Sequence, residues 1–162
     1  MDHLHAPWRM EYIGAEPQPG CLFCRVREAP TGEDRANLVI RREPEAIALL
    51  NRFPYNSGHL MVAPRHHSGD LTALGEEELL GVMMLMQRCL RAVAGSMQPD
   101  GFNVGINMGK VAGAGIADHV HVHAVPRWDG DTNFMPVLAD VKVVNEHLER
   151  TWGKLTEALG AG

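Results

Sequence analysis

The sequence predicts an α+β domain, an antiparallel sheet of about five strands with one long and one shorter helix. Three observations carry that expectation. Short β-type runs come in clusters joined by tight turns. One long amphipathic stretch separates two such clusters, and a shorter one follows the last. Repeated strand-helix-strand units, which a doubly wound parallel sheet requires, are missing.

Taken in order, residues 1–20 read as an extended N-terminal arm. Trp8, Met10, Tyr12 and Ile13 alternate loosely with charged residues before Gly14, Pro17, Pro19 and Gly20 break the pattern. Residues 21–162 read as a single domain. Leu38-Val39-Ile40 and Ala46 to Leu50 are strands. Phe53 to Gly58 is a turn, since Pro54 fixes φ and Gly58 accepts a positive φ. His59 to Ala63 is the next strand, closed by Pro64. The long helix runs from about Thr72 to Ser96, with Glu76, Glu77 and Glu78 near its positive end. Leu79, Leu80, Met83, Leu85, Met86, Leu90 and Val93 give it a wide apolar surface, with Met83, Met84 and Met86 as core fillers and Cys89 as an inert buried thiol. Phe102 to Asn107 is a strand, 109–115 a glycine-rich loop, and His119 to Val125 a further strand. A last helix spans Val144 to Leu159, with Leu148, Trp152 and Leu155 facing inward.

Bulk numbers narrow the function classes. The chain has 162 residues, 45% of them hydrophobic, enough for one real core. A net charge of -5 disfavours nonspecific nucleic-acid binding. No apolar run reaches membrane-spanning length, and the first residues do not form a signal peptide, so a cytoplasmic location is expected. Three cysteines, two of them only three positions apart, do not make a disulfide framework.

The chemistry concentrates in His119-Val120-His121-Val122-His123-Ala124-Val125. A period of two puts all three imidazoles on one face, roughly 6 to 7 Å apart. Groups that titrate near pH 6.5 in such a row can hold a nucleophile, a metal ligand and a phosphate partner. The preceding glycines let backbone N–H groups close on an anion. The spacing fits neither a P-loop nor a dinucleotide fingerprint. Cys21-x-x-Cys24 is half a zinc site or a redox pair, and His66 and His67 are possible partners.

The histidine run resembles the motif of the histidine triad (HIT) superfamily, His-φ-His-φ-His-φ-φ. Asn51-Arg52-Phe53-Pro54-Tyr55-Asn56-Ser57-Gly58-His59-Leu60 is similar to the family's ribose-side turn and strand, and Pro126-Arg127 to its exit from the triad strand. Pro7 to Ile13 and Arg127 to Phe134 resemble a bacterial branch that includes dinucleoside polyphosphate phosphorylases and hydrolases. The likeness covers roughly residues 21 to 150. It implies a HIT-like fold, a homodimer, a purine-nucleotide substrate and no nucleic-acid or membrane partner.

The resemblance also implies roles. His121 attacks the α-phosphate and forms a nucleotidyl-histidine, which water or phosphate then resolves. His123 and His59 orient and stabilise the phosphoryl oxygens. Asn51 meets the ribose and Asn107 the phosphate, with Asn103 competing for the latter. Many relatives carry Gln or Ser four residues before the first triad histidine. Here that residue is Gly115, and the N–H groups of Ala114, Gly115 and Ile116 are the expected substitutes. Lys110 and Arg127 are contributors to any second anion pocket. Zinc-bearing relatives select His67 over His66 and use the first triad histidine, which gives a structural Zn2+ on Cys21, Cys24, His67 and His119. Open alternatives are a phosphorylase using inorganic phosphate and a nucleotide-binding module with little catalysis.

Overall fold

The computed structural model describes residues 19–131 and 146–160. The N-terminal arm, apart from Pro19 and Gly20, lies outside these residues, as do Thr132, Asn133, Phe134 and the expected start of the last helix at Val144. Five strands, β1 (Val39–Arg42), β2 (Ala46–Leu50), β3 (Leu60–Pro64), β4 (Gly101–Ile106) and β5 (Val122–Arg127), form one sheet. Their spatial order is β1-β2-β3-β5-β4, and every neighbouring pair is antiparallel. Helices α1 (Leu22–Glu28), α2 (Glu76–Met97) and α3 (Leu148–Gly160) complete the architecture.

Strand alternation divides the apolar residues into two layers. Ala48, Leu50, Leu60, Val62, Val122 and Ala124 face α2 and α3, where Val82, Leu85, Met86, Cys89, Val93, Leu155 and Leu159 meet them. Ile47, Leu49, Met61 and Ala63 face the other way, toward Phe23 and Val26 of α1. His123 pairs with Met61 in the ladder and therefore lies on this second face, away from the long helices.

Several expected boundaries and burials move, each for a local reason. Leu38 has φ +59°, outside the strand region, so β1 begins at Val39. A 3-10 turn over Leu71–Ala73, capped by Asp70, stands where the start of the long helix was expected. The helix proper begins after Gly75, whose N–H donates to Glu78 Oε2 at 3.0 Å. Met86 fills the core as expected, but Met83 and Met84 are exposed, with Leu80. At 100° per residue they fall on a different side from Val82, Leu85, Met86 and Cys89. The helix approaches the β1–β2 turn closely: a Cβ on Gly81 would lie 2.6 Å from Glu45 Cβ. Cys89 is fully buried, and burial pushes its thiol up to about 12, as suits an inert core residue. The last helix is described from Leu148. Its Trp152 is half-buried and donates Nε1–H to the Val39 carbonyl at 2.7 Å, tying α3 to β1.

Candidate active site and metal centre

The ladder of β5 starts at Val122, so His119 and His121 precede it instead of lying within it. Strand β4 ends at Ile106, opposite Val122, and before that level the segment bonds elsewhere: Val120 N–H donates to Ser68 O at 2.7 Å. The extended alternation survives all the same. His121 and His123 rings lie 4.7 Å apart between centroids. Phe23 packs against His119 at 5.1 Å and His121 at 4.9 Å.

Hydrogen bonds decide which nitrogen of each ring carries a proton. His121 Nδ1 lies 2.8 Å from the carbonyl oxygen of His119. Only an N–H can bond to that acceptor, so Nδ1 is protonated and Nε2 holds a lone pair. No partner meets that Nε2 among the described residues. His59, fully buried, receives the Tyr55 N–H on Nδ1 at 3.0 Å. Its proton therefore sits on Nε2, which donates to His123 Nδ1 at 2.9 Å. His123 in turn carries its proton on Nε2. Two adjacent imidazoles thus present opposite atoms, a lone pair on His121 and an N–H on His123.

Burial depresses the basicity of both rings. His121 is held below the ordinary histidine value by desolvation, opposed in part by its bond to the His119 carbonyl. His123 falls to about 4, through desolvation first and the His121 charge second. Both are neutral near pH 7, the form in which an imidazole can attack phosphorus.

The turn that carries His59 is clamped to the exit of β5. Asn56 Nδ2 donates to Pro126 O at 3.0 Å and to Asp131 Oδ2 at 2.8 Å. Asp131 also receives Arg127 Nε and Nη2, each at 2.7 Å. Arg127 Nη1 reaches Asn103 Oδ1 at 2.8 Å. Arg127 is therefore engaged by both Asp131 and Asn103. Of the two asparagine candidates, Asn107 is the one beside the glycine loop, its Nδ2 3.8 Å from where a Gly113 Cβ would be. Lys110 is exposed in that loop.

Asn51 Oδ1 accepts the Phe53 N–H at 2.9 Å, so the oxygen shapes the turn and Nδ2 is the atom not used by that bond. In the glycine loop, Gly109 and Gly113 have φ of +81° and +90°. The Ala114 N–H is spent on the Gly109 carbonyl at 3.3 Å, which removes it from the expected anion donors. The N–H groups of Gly115 and Ile116 have no acceptor among the described residues. Nothing lies within 4 Å of a Cβ on Gly115, and its φ is not positive. Gly105, across the ladder from His123, is equally open.

Beside His121 lies a candidate metal centre that includes His119. Cys21, Cys24, His67 and His119 each offer one ligand atom, all within 4.8 Å of one another. His119 Nδ1 stands 3.3 Å from Cys21 Sγ, 3.7 Å from Cys24 Sγ and 3.3 Å from His67 Nδ1. A zinc tetrahedron with Zn–N of about 2.0–2.1 Å and Zn–S of about 2.3 Å has edges of about 3.4 to 3.8 Å. The residues therefore fit a metal of this kind. His119 Nε2 donates to the Pro64 carbonyl at 2.9 Å, which frees Nδ1 as ligand. Burial first, then the neighbouring Cys21, holds the Cys24 thiol above its ordinary value in the absence of a cation. His66 turns instead to Glu78, at 3.4 Å.

The HIT domain matches residues 32–130. The chain belongs to the HIT family. It is 37% identical over 157 residues to a protein named AP-4-A phosphorylase from Mycobacterium tuberculosis, covering 93% of this chain and 80% of that one. A zinc-bound histidine triad family protein from Mycobacterium smegmatis superposes with a TM-score of 0.68 at 30% identity, over 87% of this chain and 94% of that one. A diadenosine triphosphate hydrolase from Plasmodium falciparum shares the fold, with a TM-score of 0.59 at 19% identity over 76% of this chain and 75% of that one. The chain is thus a nucleotide-processing enzyme of the HIT family. Phe23, Tyr55, Asn56, Gly105 and Asp131 join the site without an individual sequence signal, although Tyr55 and Asn56 lie in the segment similar to the family's ribose-side turn and Asp131 in the one that follows Arg127.

The depressed His123 value yields a pH expectation. An unfolded chain binds a proton on this ring near pH 6.5, the folded chain only near 4. Its contribution to stability is intact above pH 6.5 and is lost as pH falls from there to about 4. An NMR titration should leave the His123 ring neutral at pH 5.5. A midpoint above 6 would contradict the desolvated, His59-bonded ring.

Proposed function

We propose that the chain is a nucleotidyl hydrolase or transferase that attacks the α-phosphate of purine nucleotides, with dinucleoside polyphosphates as the substrate class. The observation that carries this is the opposed pair of tautomers. His121 Nε2 forms a bond to phosphorus, and the P–O bond to the remaining phosphate chain breaks with its electron pair. The His123 Nε2–H donates to a phosphoryl oxygen. As His121 becomes cationic, its bond to the His119 carbonyl strengthens, because a charged donor binds an oxygen more tightly. Water or phosphate then attacks phosphorus, and His121 leaves with the N–P electron pair. His59 holds His123 in the donating tautomer. Asn51 Nδ2 meets the ribose, and Asn107 with the N–H groups of Gly115 and Ile116 meets phosphate.

A phosphorylase is the second reading, favoured by the open space at Gly115 and by the likeness to the protein named AP-4-A phosphorylase from Mycobacterium tuberculosis. A binding module with little catalysis leaves the His121 lone pair without a purpose. The test uses diadenosine tetraphosphate with labelled inorganic phosphate. Label in the adenosine diphosphate product identifies phosphate as acceptor. Unlabelled adenosine monophosphate, even at saturating phosphate, identifies water. His121→Ala should cost at least about 10²-fold in turnover while the fold persists. Retention of a tenth of the activity would remove His121 as nucleophile.

The metal in the Cys2His2 set is zinc in this proposal, and its role is structural. Untagged protein should carry one zinc per chain by elemental analysis, and chelation should lower Tm, since bound structural zinc contributes folding energy. Protein that stays substoichiometric after zinc supplementation would count against the site.

The chain pairs as a homodimer, consistent with the exposed Leu80, Met83 and Met84 on α2 and Val104 on the edge strand β4. Light scattering at micromolar concentration should report twice the chain mass, and the single-chain mass would refute pairing. The absence of a nucleic-acid partner and a cytoplasmic site of action complete the proposal. No helix among the described residues is long and apolar enough to cross a membrane.

A further inference from the structure

We propose that Phe23 is a positioning residue that makes the reactivity of His121 depend on the state of the Cys21-Cys24-His67-His119 centre. The inference rests on the reading of His121 as nucleophile and of the centre as a zinc site. Phe23 sits between the two cysteines in sequence and is 1% exposed. Its ring lies within 5.1 Å of a metal-ligand candidate, His119, and within 4.9 Å of His121. It touches both rings at once and fills the gap between metal centre and nucleophile.

The two ends of α1 are held by different means. At the C-terminal end, Arg42 Nη1 and Nη2 donate to the Arg27 and Val26 carbonyls at 2.9 Å each, and Asp34 anchors the same guanidinium at 2.6 Å. At the N-terminal end the polar connections from Cys21 and Cys24 run to His119 and His67. A seven-residue helix does not hold its own position in water. Binding of a cation by the two thiolates and the two imidazoles therefore fixes the end of α1 that carries Phe23.

His119 supplies a second connection. Its ring is a ligand through Nδ1, and its carbonyl oxygen is the acceptor that sets the His121 tautomer. A shift of the His119 backbone weakens that acceptor, and withdrawal of Phe23 opens space in which the His121 ring can turn. Both changes act on the same feature, the lone pair at His121 Nε2. His123 differs, because its tautomer comes from His59 and the Tyr55 N–H, neither of which belongs to the metal centre. The coupling is therefore selective for one of two neighbouring rings.

The experiment compares wild-type protein with Phe23→Leu and Phe23→Met, all with zinc content measured. Imidazole 15N shifts report the tautomer of each ring, and kinetics are run on diadenosine tetraphosphate. Zinc-loaded wild type should show a single Nδ1–H tautomer at His121. Phe23→Leu, with one zinc per chain, should average the two tautomers at His121 but not at His123. Its kcat should fall about tenfold or more with KM nearly unchanged, as expected for a displaced reacting group. Phe23→Met, similar in volume to leucine but longer and adaptable enough to reach both rings, should recover part of both. Chelated wild-type protein should show the same His121 averaging, and this arm stands if Phe23→Leu does not fold.

A zinc-loaded Phe23→Leu protein with one His121 tautomer and unchanged kcat overturns the proposal. So does a chelated chain whose His121 spectrum is unaltered, or a chain that binds no zinc. Failure of wild-type protein to release nucleotide would sink the proposed function instead, and the 15N comparison would still report on the coupling.

Discussion

The bond from His121 Nδ1–H to the carbonyl of His119 decides what this site can do. An imidazole has two nitrogens and, when neutral, one proton. Occupying Nδ1 with a carbonyl leaves Nε2 as the lone pair, and burial keeps the ring neutral at working pH. The same logic runs in the opposite sense through Tyr55, His59 and His123, which ends in an N–H donor. Two residues of one type, two positions apart, are made to present a lone pair and an N–H by their partners alone.

The fold supplies those partners. Strand β5 lies inside the sheet, between β3 and β4, so His123 is flanked by Met61 on one side and the open Gly105 on the other. The β2–β3 turn brings His59 beside it, and Asp131 with Asn56 clamps that turn to the end of β5. The long helices fill the opposite face, which leaves the histidine face to α1 and to a ligand. The candidate metal centre sits past the start of the β5 ladder, where Cys21, Cys24, His67 and His119 come together and could hold a cation.

Much of this was legible in the sequence. The five strands and the long helix follow from alternation and amphipathic period, and the triad from its own spacing. Cys21-x-x-Cys24 showed half of a metal set, and the family likeness supplied His67 and His119. What stayed hidden depends on tertiary partners. The start of β5 moved to Val122 because β4 ends opposite it at Ile106, which no local pattern records. Met83 and Met84 read as core by composition, but helix geometry places them on an uncovered side. Phe23 is only an unassigned position within Cys21-x-x-Cys24, because the two rings it packs against lie nearly a hundred positions away. The backbone donors that Ala114 and Tyr55 use or provide carry no side-chain signal at all.

The central claim is that His121, and not His123, forms the covalent bond to phosphorus. Diadenosine tetraphosphate labelled at the α-phosphate, quenched during turnover and followed by peptide mapping, tests it directly. The opposed tautomers predict label on His121 in wild-type protein and no labelled peptide from His121→Ala. Label on His123, or turnover at full rate with no labelled peptide under any quench, would contradict the assignment.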